Sequence, residues 1–301
     1  MIKRRLAFSV LELVIAITIT SLLLIFISKS KSLIDKANKV AQNIQGSNSE
    51  EGQPFSVADI SNLDVWYEAT SSQSFSAGEM INGSAITSWY DQNPNSVNKN
   101  HLRQDGLAAV PKYKTNCIGN LSCVNFDGVS RLKGDYPVNI SNSEPGTVIV
   151  VGYTAYNNYN STPLSITNGN DSKAFRLDIN TTSNQSGARY DGGNVLFQSP
   201  FNSSGPFIAI FSFSNVQDSS TVNLYVNGAN VTRASYNNSS IRPIENNLFL
   251  IGCNYNRNYG GYINFFRGDL SEIIIYNKEI SDIERQQIES YLSEKYNIAI
   301  N

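Results

Sequence analysis

Between Phe8 and Ile27 the chain runs for twenty residues with one ionisable side chain, Glu12. As a helix, such a run spans roughly 30 Å, the thickness of a bilayer's hydrocarbon core. Met1-Ile2-Lys3-Arg4-Arg5 precedes it, and basic residues on that side favour a cytoplasmic start with export of the chain beyond the run. A cleaved signal peptide would have a shorter core and a small-residue cleavage site after it; here the run leads into "SKSKSLIDKANK". A plain anchor explains the length but leaves a carboxylate in hydrocarbon, which costs several kcal/mol when unpaired. A third reading gives the acid a positive partner on a neighbouring helix. Leu33, Ile34, Ala37, Val40, Ala41 and Ile44 continue at helical spacing, so the sequence predicts one helix over 8–45 and a linker, "GSNSEEGQP", within 46–56.

The stretch "RRLAFSVLE" resembles the processing and methylation motif of type IV pilins and the pseudopilins of type II secretion. The resemblance implies a prepilin peptidase cutting between Ala7 and Phe8, a leader over 1–7, and methylation of Phe8. It puts Glu12 at the fifth mature position, facing the terminal amine of another pilin or pseudopilin subunit. Ala7 stands where the family usually keeps glycine. The implied location is a single pass through the inner membrane, with the rest of the chain periplasmic or on a surface pilus.

Beyond the linker the pattern changes to short strands at 146–154, 174–179, 207–214, 221–231, 248–252 and 270–277. Val222, Leu224 and Val226 alternate with Asn223, Tyr225 and Asn227, marking a strand with one buried face, and Asn227-Gly228 favours a tight hairpin. "FIAIFSF" is apolar on both faces, as in a central strand. Such spacing with Gly/Asn turns predicts a mainly β, antiparallel sandwich. "SDIERQQIESYLSEKYN" opens on Ser281 with Glu284 three residues later, a capping box. It predicts a closing helix with Ile280, Ile283, Ile288 and Leu292 near one face.

The stretches "LDVWYEAT", "ITSWYDQNPNSVNKNHLRQ", "VPKY", "VNFDGVSRL" and "FRGDLSEIIIYNKEISDIERQQIESYLSEKYNI" resemble the concanavalin A-like, laminin-G-type jelly rolls of bacterial surface proteins. This implies two facing antiparallel sheets over 57–301, with rim loops open to ligands. The fold hosts lectins, adhesion modules and some glycosidases, so it leaves function open.

Net charge is −2, and Lys and Arg do not cluster beyond the first five residues, so no nucleic-acid partner is expected. Of the three cysteines, Cys117 and Cys123 can close a small disulfide loop in an oxidising compartment, leaving Cys253 as a buried thiol in a strand. His101 is the chain's one histidine and reads as a lone surface residue. No alternating acid run of the kind glycosidases on this fold use is present, so the chain is not expected to be an enzyme. Asp91, Asn93 and Asn95 have the alternate spacing of Ca2+ ligands, without the glycine and acid that complete an EF-hand; a plain polar turn reads the same residues. Asn254, Tyr255, Asn256, Arg257, Tyr259 and Tyr262 make a loop that could stack on and hydrogen-bond a glycan, or form an ordinary exposed turn. "RGD" at 267–269 is read as a turn before a strand. Together these readings point to a minor pilin or pseudopilin displaying an adhesion module for a glycan or protein ligand, with a non-assembling surface lectin as the alternative.

Overall fold

The strand Phe207–Phe213 is buried along its whole length, and its two faces meet different cores. Phe207, Ala209, Phe211 and Phe213 belong to one apolar cluster, while Ile208 and Ile210 belong to another. Gly146–Tyr153 divides in the same way, with Val148 and Val150 on one side and Ile149 and Val151 on the other. In Arg267–Tyr276, Ile273 and Ile275 oppose Ile274 and Tyr276. Because side chains alternate across a strand, continuous apolar runs at the centre of a sheet require a layer on both faces.

Those layers are seen in the computed structural model, which describes residues 55–138, 145–154, 161–167, 174–179, 185–190, 193–198, 205–214, 221–236 and 248–301. The leader, the apolar run with Ala7, Phe8 and Glu12, and the linker up to Pro54 lie outside the described residues. Among the described residues no helix is long and apolar enough to cross a membrane. Phe55–Asn301 forms one compact unit.

Two antiparallel sheets face each other. The eight-stranded sheet runs Ala229–Asn230, Asn223–Val226, Phe207–Phe213, Gly146–Tyr153, Arg267–Tyr276, Cys123–Asp127, Lys112–Lys114, with Leu63–Glu68 pairing along Arg267–Tyr276. The nine-stranded sheet runs Arg233–Tyr236, Gly193–Gln198, Gln185–Tyr190, Ala174–Ile179, Ser161–Thr167, Leu248–Ile251, Leu132–Gly134, Leu102–Gln104, Ser88–Trp89. Between them lies the larger core, including Trp89, Phe126, Phe175, Phe211 and Phe249. The third layer is helix α1, Asp282–Tyr296, whose Ile288, Leu292 and Tyr296 cover the outer face of the eight-stranded sheet.

Local chemistry sets the ends of these elements. Asn227 and Gly228 take φ of 48° and 80°, the left-handed pair that a two-residue hairpin with the native twist requires. Ser281 Oγ accepts from the Glu284 N–H, and Glu284 returns the bond to the Ser281 N–H, which closes the capping box. Asn297 ends the helix in the left-handed conformation. Two expectations need correction. Ile283 is 39% exposed: the buried face is defined by positions 288, 292 and 296, and Ile283 falls off it. The RGD triplet is not a turn, because Arg267, Gly268 and Asp269 pair with Asp127, Phe126 and Asn125 inside the strand. Gly268 is needed there for close approach, since a Cβ would lie 2.3 Å from the Tyr153 carbonyl oxygen.

Candidate functional site

Leu164 and Ile166 face the inter-sheet core, which leaves the hydroxyls of Ser165 and Thr167 on the outer face of the nine-stranded sheet. They dock the returning chain: Ser165 Oγ donates to the Cys253 carbonyl at 2.8 Å and Thr167 Oγ1 to that of Tyr255 at 3.4 Å. Residues Asn254–Asn256 and Gly261–Ile263 then form a small hairpin of their own, joined by a 3-10 turn over Arg257–Tyr259. Asn256 caps that turn through its side-chain oxygen, 2.7 Å from the Asn258 N–H, and Gly260 reverses the chain at φ 77°. Six polar and aromatic residues predicted to share a loop are thus held on one hairpin, but they divide by depth. Asn254 and Asn256 are fully buried and structural; Tyr259 is 74% exposed, and Arg257 is exposed beside it.

The half-buried pair Tyr255 and Tyr262 joins the tip to the body. Their ring centroids are 4.9 Å apart, and the Arg131 guanidinium sits 3.5 Å from the centre of the Tyr262 ring, a cation–π contact. The Tyr262 hydroxyl donates to Asp105 Oδ2, which also accepts from Arg131 Nε at 3.0 Å. Three loops, Asp105 to Ala109, Val129 to Arg131 and the hairpin, are tied at this point, and the Arg131 N–H bonds the Ala109 carbonyl at 3.1 Å. Leu107 and Val129, in two of these loops, leave apolar side chains in solvent, at 104% and 57% exposure. Partial burial and then the facing Asp105 carboxylate push the Tyr262 phenol up to about 12. Burial works to raise Asp105, but the hydrogen bonds from Tyr262 and Arg131 outweigh it and hold the carboxyl below its ordinary range. The site is a rigid rim in which Tyr262 is a support, engaged by Tyr255 and Arg131, while Tyr259 and Arg257 are the groups offered to solvent.

Other predicted positions lie elsewhere in the domain. Asp91 and Asn93 are 4% and 1% exposed. Asp91 Oδ1 accepts from the Trp66 and Asn93 N–H groups, and Oδ2 from Asn100 N–H. Asn93 Oδ1 accepts from Asn95 N–H, and the Asn93 amide donates to the Leu63 and Asp64 carbonyls. Oxygens read as Ca2+ ligands face backbone donors, and their work is to tie this loop to the Leu63–Glu68 strand. His101 is not a free surface residue: its Nδ1 accepts from Asp91 N–H at 3.1 Å and its ring stands edge-on to Tyr90. Burial, then Arg103, lowers its pKa. Cys117 and Cys123 form a disulfide. Cys253 is buried as expected, but in the connection between two strands rather than within one; burial pushes its thiol up to about 12. Asp269, from the RGD triplet, is 3% exposed and bonded to Lys114 Nζ at 2.7 Å and Asn125 Nδ2 at 2.6 Å.

Asp105 and Arg131 were not foreseen. Arg131 falls within "VNFDGVSRL" and Asp105 directly follows "NHLRQ", but nothing in either stretch marks a partner for Tyr262, 157 residues from Asp105; only the fold brings them together.

A family model described as the concanavalin A-like lectin/glucanases superfamily matches residues 138–284, somewhat under half of the chain. No curated protein matches the sequence. Among solved structures, the Ruminococcus gnavus IT-sialidase CBM40 bound to α2,3 sialyllactose is 18% identical, covering 49% of this chain and 83% of that one, with a TM-score of 0.38. Domain 4 of AbnA, a GH43 extracellular arabinanase from Geobacillus stearothermophilus in complex with arabinotriose, is 14% identical over 75% of this chain and 96% of that one, TM-score 0.48. Trypanosoma rangeli sialidase in complex with the inhibitor DANA is 11% identical over 86% and 38%, TM-score 0.49. The family match runs across strands of both sheets, so residues 138–284 are similar to a concanavalin A-like, laminin-G-type jelly roll, and they lie within a mainly β, antiparallel two-sheet sandwich.

Proposed function

We propose that the jelly roll is a glycan-binding module, held outside the inner membrane by a pilin-like amino-terminal helix as a minor pilin or pseudopilin subunit. The binding half of this reading is carried by the hairpin rim: an exposed aromatic, Tyr259, and an exposed guanidinium, Arg257, on a turn stiffened by Tyr262, Arg131 and Asp105. Rigid presentation lowers the ordering cost of binding, and an aromatic face beside polar donors suits a sugar ring with its hydroxyls. A binding role fits better than catalysis. The hairpin gathers one carboxylate, Asp105, already occupied by Tyr262 and Arg131, whereas glycoside hydrolysis uses a pair.

The displaying half rests on the sequence around Ala7, Phe8 and Glu12. A glycan array probed with the protein, beside its Tyr259→Ala variant, tests the first half: glycan signals that fall at least tenfold in the variant support it, and no signal from the wild type removes it. Mass spectrometry of the native amino terminus tests the second. A methylated Phe8 supports processing and assembly, and a chain that still begins at Met1 favours a membrane-anchored surface lectin that does not assemble.

A further inference from the structure

A concave feature lies on the side of the domain opposite the hairpin, between the start of helix α1 and the outer face of the eight-stranded sheet. It is a groove of about 450 Å³, lined by Ser212, Asn223 and Tyr225 from two sheet strands and by Glu279, Asp282, Glu284 and Arg285 from the turn and first helical residues. That volume falls in the range of small-ligand sites, roughly 300–1,000 Å³. Its walls are fixed before any ligand arrives. Arg285 lies 4.1 Å from the centre of the Tyr225 ring and donates from Nη1 to Glu289 Oε2 at 2.6 Å, with weaker contacts to Asp282 at 3.4 Å. Glu289 is itself 3% exposed, so the guanidinium is clamped from below and across the face of the tyrosine. Ser212 and Asn223 are register partners on adjacent strands, which sets their polar side chains next to each other on the groove floor.

The mixture of charges selects the ligand class. A simple anion would meet Glu279 and Asp282, both exposed, and a divalent cation would meet Arg285. The third carboxylate, Glu284, is already taken by Lys278 Nζ at 2.6 Å and the Ser281 N–H at 2.8 Å. Serine, amide and guanidinium donors alternate with carboxylate acceptors around an aromatic side chain. A ligand whose groups both donate and accept, without net charge, is the one such walls can satisfy. We infer that this groove is a second binding site, for a neutral, hydroxyl-rich ligand of the saccharide class, on the sheet opposite the hairpin rim. It shares no residue with that rim and does not rest on it.

Saturation-transfer NMR on the full chain in a sugar-free detergent, with cellotriose, maltotriose and tri-N-acetylchitotriose as probes, tests the inference. The comparison includes the Asn223→Ala/Glu279→Ala pair, which alters the groove, and Tyr259→Ala, which alters the hairpin. The expected result is saturation transfer to at least one probe, at full strength in Tyr259→Ala and at least tenfold weaker in the groove pair, with the melting temperature of both variants unchanged. Transfer to none of the three overturns the inference, as does transfer lost in Tyr259→Ala but kept in the groove pair. That last pattern would still leave the hairpin reading standing, so the two sites fail separately.

Discussion

Lys295 is the residue whose loss the fold should feel most. Its ammonium lies 2.7 Å from Glu272 Oε2, 2.7 Å from Glu68 Oε1 and 2.9 Å from the Tyr291 hydroxyl. The Glu272 side chain has no solvent contact and is further held by Trp66 Nε1 at 2.8 Å and the Tyr296 hydroxyl at 2.7 Å. The cluster bolts the last turn of α1 to two neighbouring strands. In Lys295→Met the methylene stem survives and the charge does not, leaving two carboxylates with no cation. Removing one partner of a buried pair costs about 3–5 kcal/mol. Glu68 keeps some access to water, its side chain being 16% exposed, which places the loss near the lower bound. At about 2–4 °C per kcal/mol for a domain of this size, a loss of about 3 kcal/mol lowers the melting temperature by about 6–12 °C.

The signs of the pKa shifts set the pH dependence. Burial raises the Glu272 carboxyl above the ordinary glutamate range even against the attraction of Lys295; without the lysine it rises further. A carboxyl raised on folding contributes stability that is complete below its unfolded value, about 4.3, and is lost as pH climbs through the folded one. The deficit of Lys295→Met is therefore smaller at pH 5 than at pH 7. In the wild type, burial opposes but Glu272 and Glu68 push the Lys295 ammonium above the ordinary lysine range. Its contribution is thus complete below about 10.4 and fades only as strong alkali carries pH through the raised value. Adding Glu272→Gln to Lys295→Met removes the stranded fully buried charge and should recover about half of the loss. Thermal unfolding by circular dichroism at pH 5 and 7 measures all of this. A Lys295→Met melting temperature within about 2 °C of wild type, or a deficit equal at both pH values, would refute the reasoning.

Gly119 sits at φ 60°, and a Cβ there would be 2.3 Å from the Tyr296 carbonyl oxygen, so Gly119→Ala should cost at least about 2 kcal/mol by denaturant unfolding. Removing the disulfide with Cys117→Ser/Cys123→Ser opens a loop of sequence separation 6 and should cost about 2 kcal/mol on the chain-entropy relation, with the denaturant midpoint then insensitive to reductant. Asp105, lowered on folding, stabilises above its unfolded value of about 3.9 and loses that contribution as pH falls through the folded one. Tyr262→Phe, which deletes one of its donors, should shift hairpin loosening to higher pH, read by amide exchange at 254–263; an unchanged acid profile would mean that the Asp105 contact does not hold the hairpin.

How far the sequence disclosed each feature depends on the range of the interaction concerned. The capping box at Ser281 and Glu284 and the Asn227-Gly228 hairpin are decided within a few residues, and both are found where the local chemistry puts them. "FIAIFSF" announced two buried faces, but not that a helix supplies the second layer. The helix face was misjudged at Ile283 because three isoleucines and a leucine fit a stripe only when its phase is known, and the sheet beneath sets the phase. RGD was misread for a related reason. A glycine beside an aspartate is what a turn looks like, but Gly268 answers to Tyr153 on the next strand, a constraint from 115 residues away.

The hairpin shows how residues alike in composition divide once folded. Six residues were grouped for their capacity to hold a glycan, yet two of them are buried and structural and a third, Tyr262, has its ring engaged. The rim is braced by Asp105 and Arg131, which arrive on loops far from it in sequence, and a chain of isolated motifs cannot state that. A jelly roll makes such sites readily: long-range strand pairing brings loops of unrelated sequence to one edge, so the chemistry that faces solvent depends on neighbours in space. For the same reason the outer groove at Asn223 and Arg285 carries no sequence signature. Its two walls belong to separate stretches of the chain, and only the docking of α1 against the sheet creates the space between them.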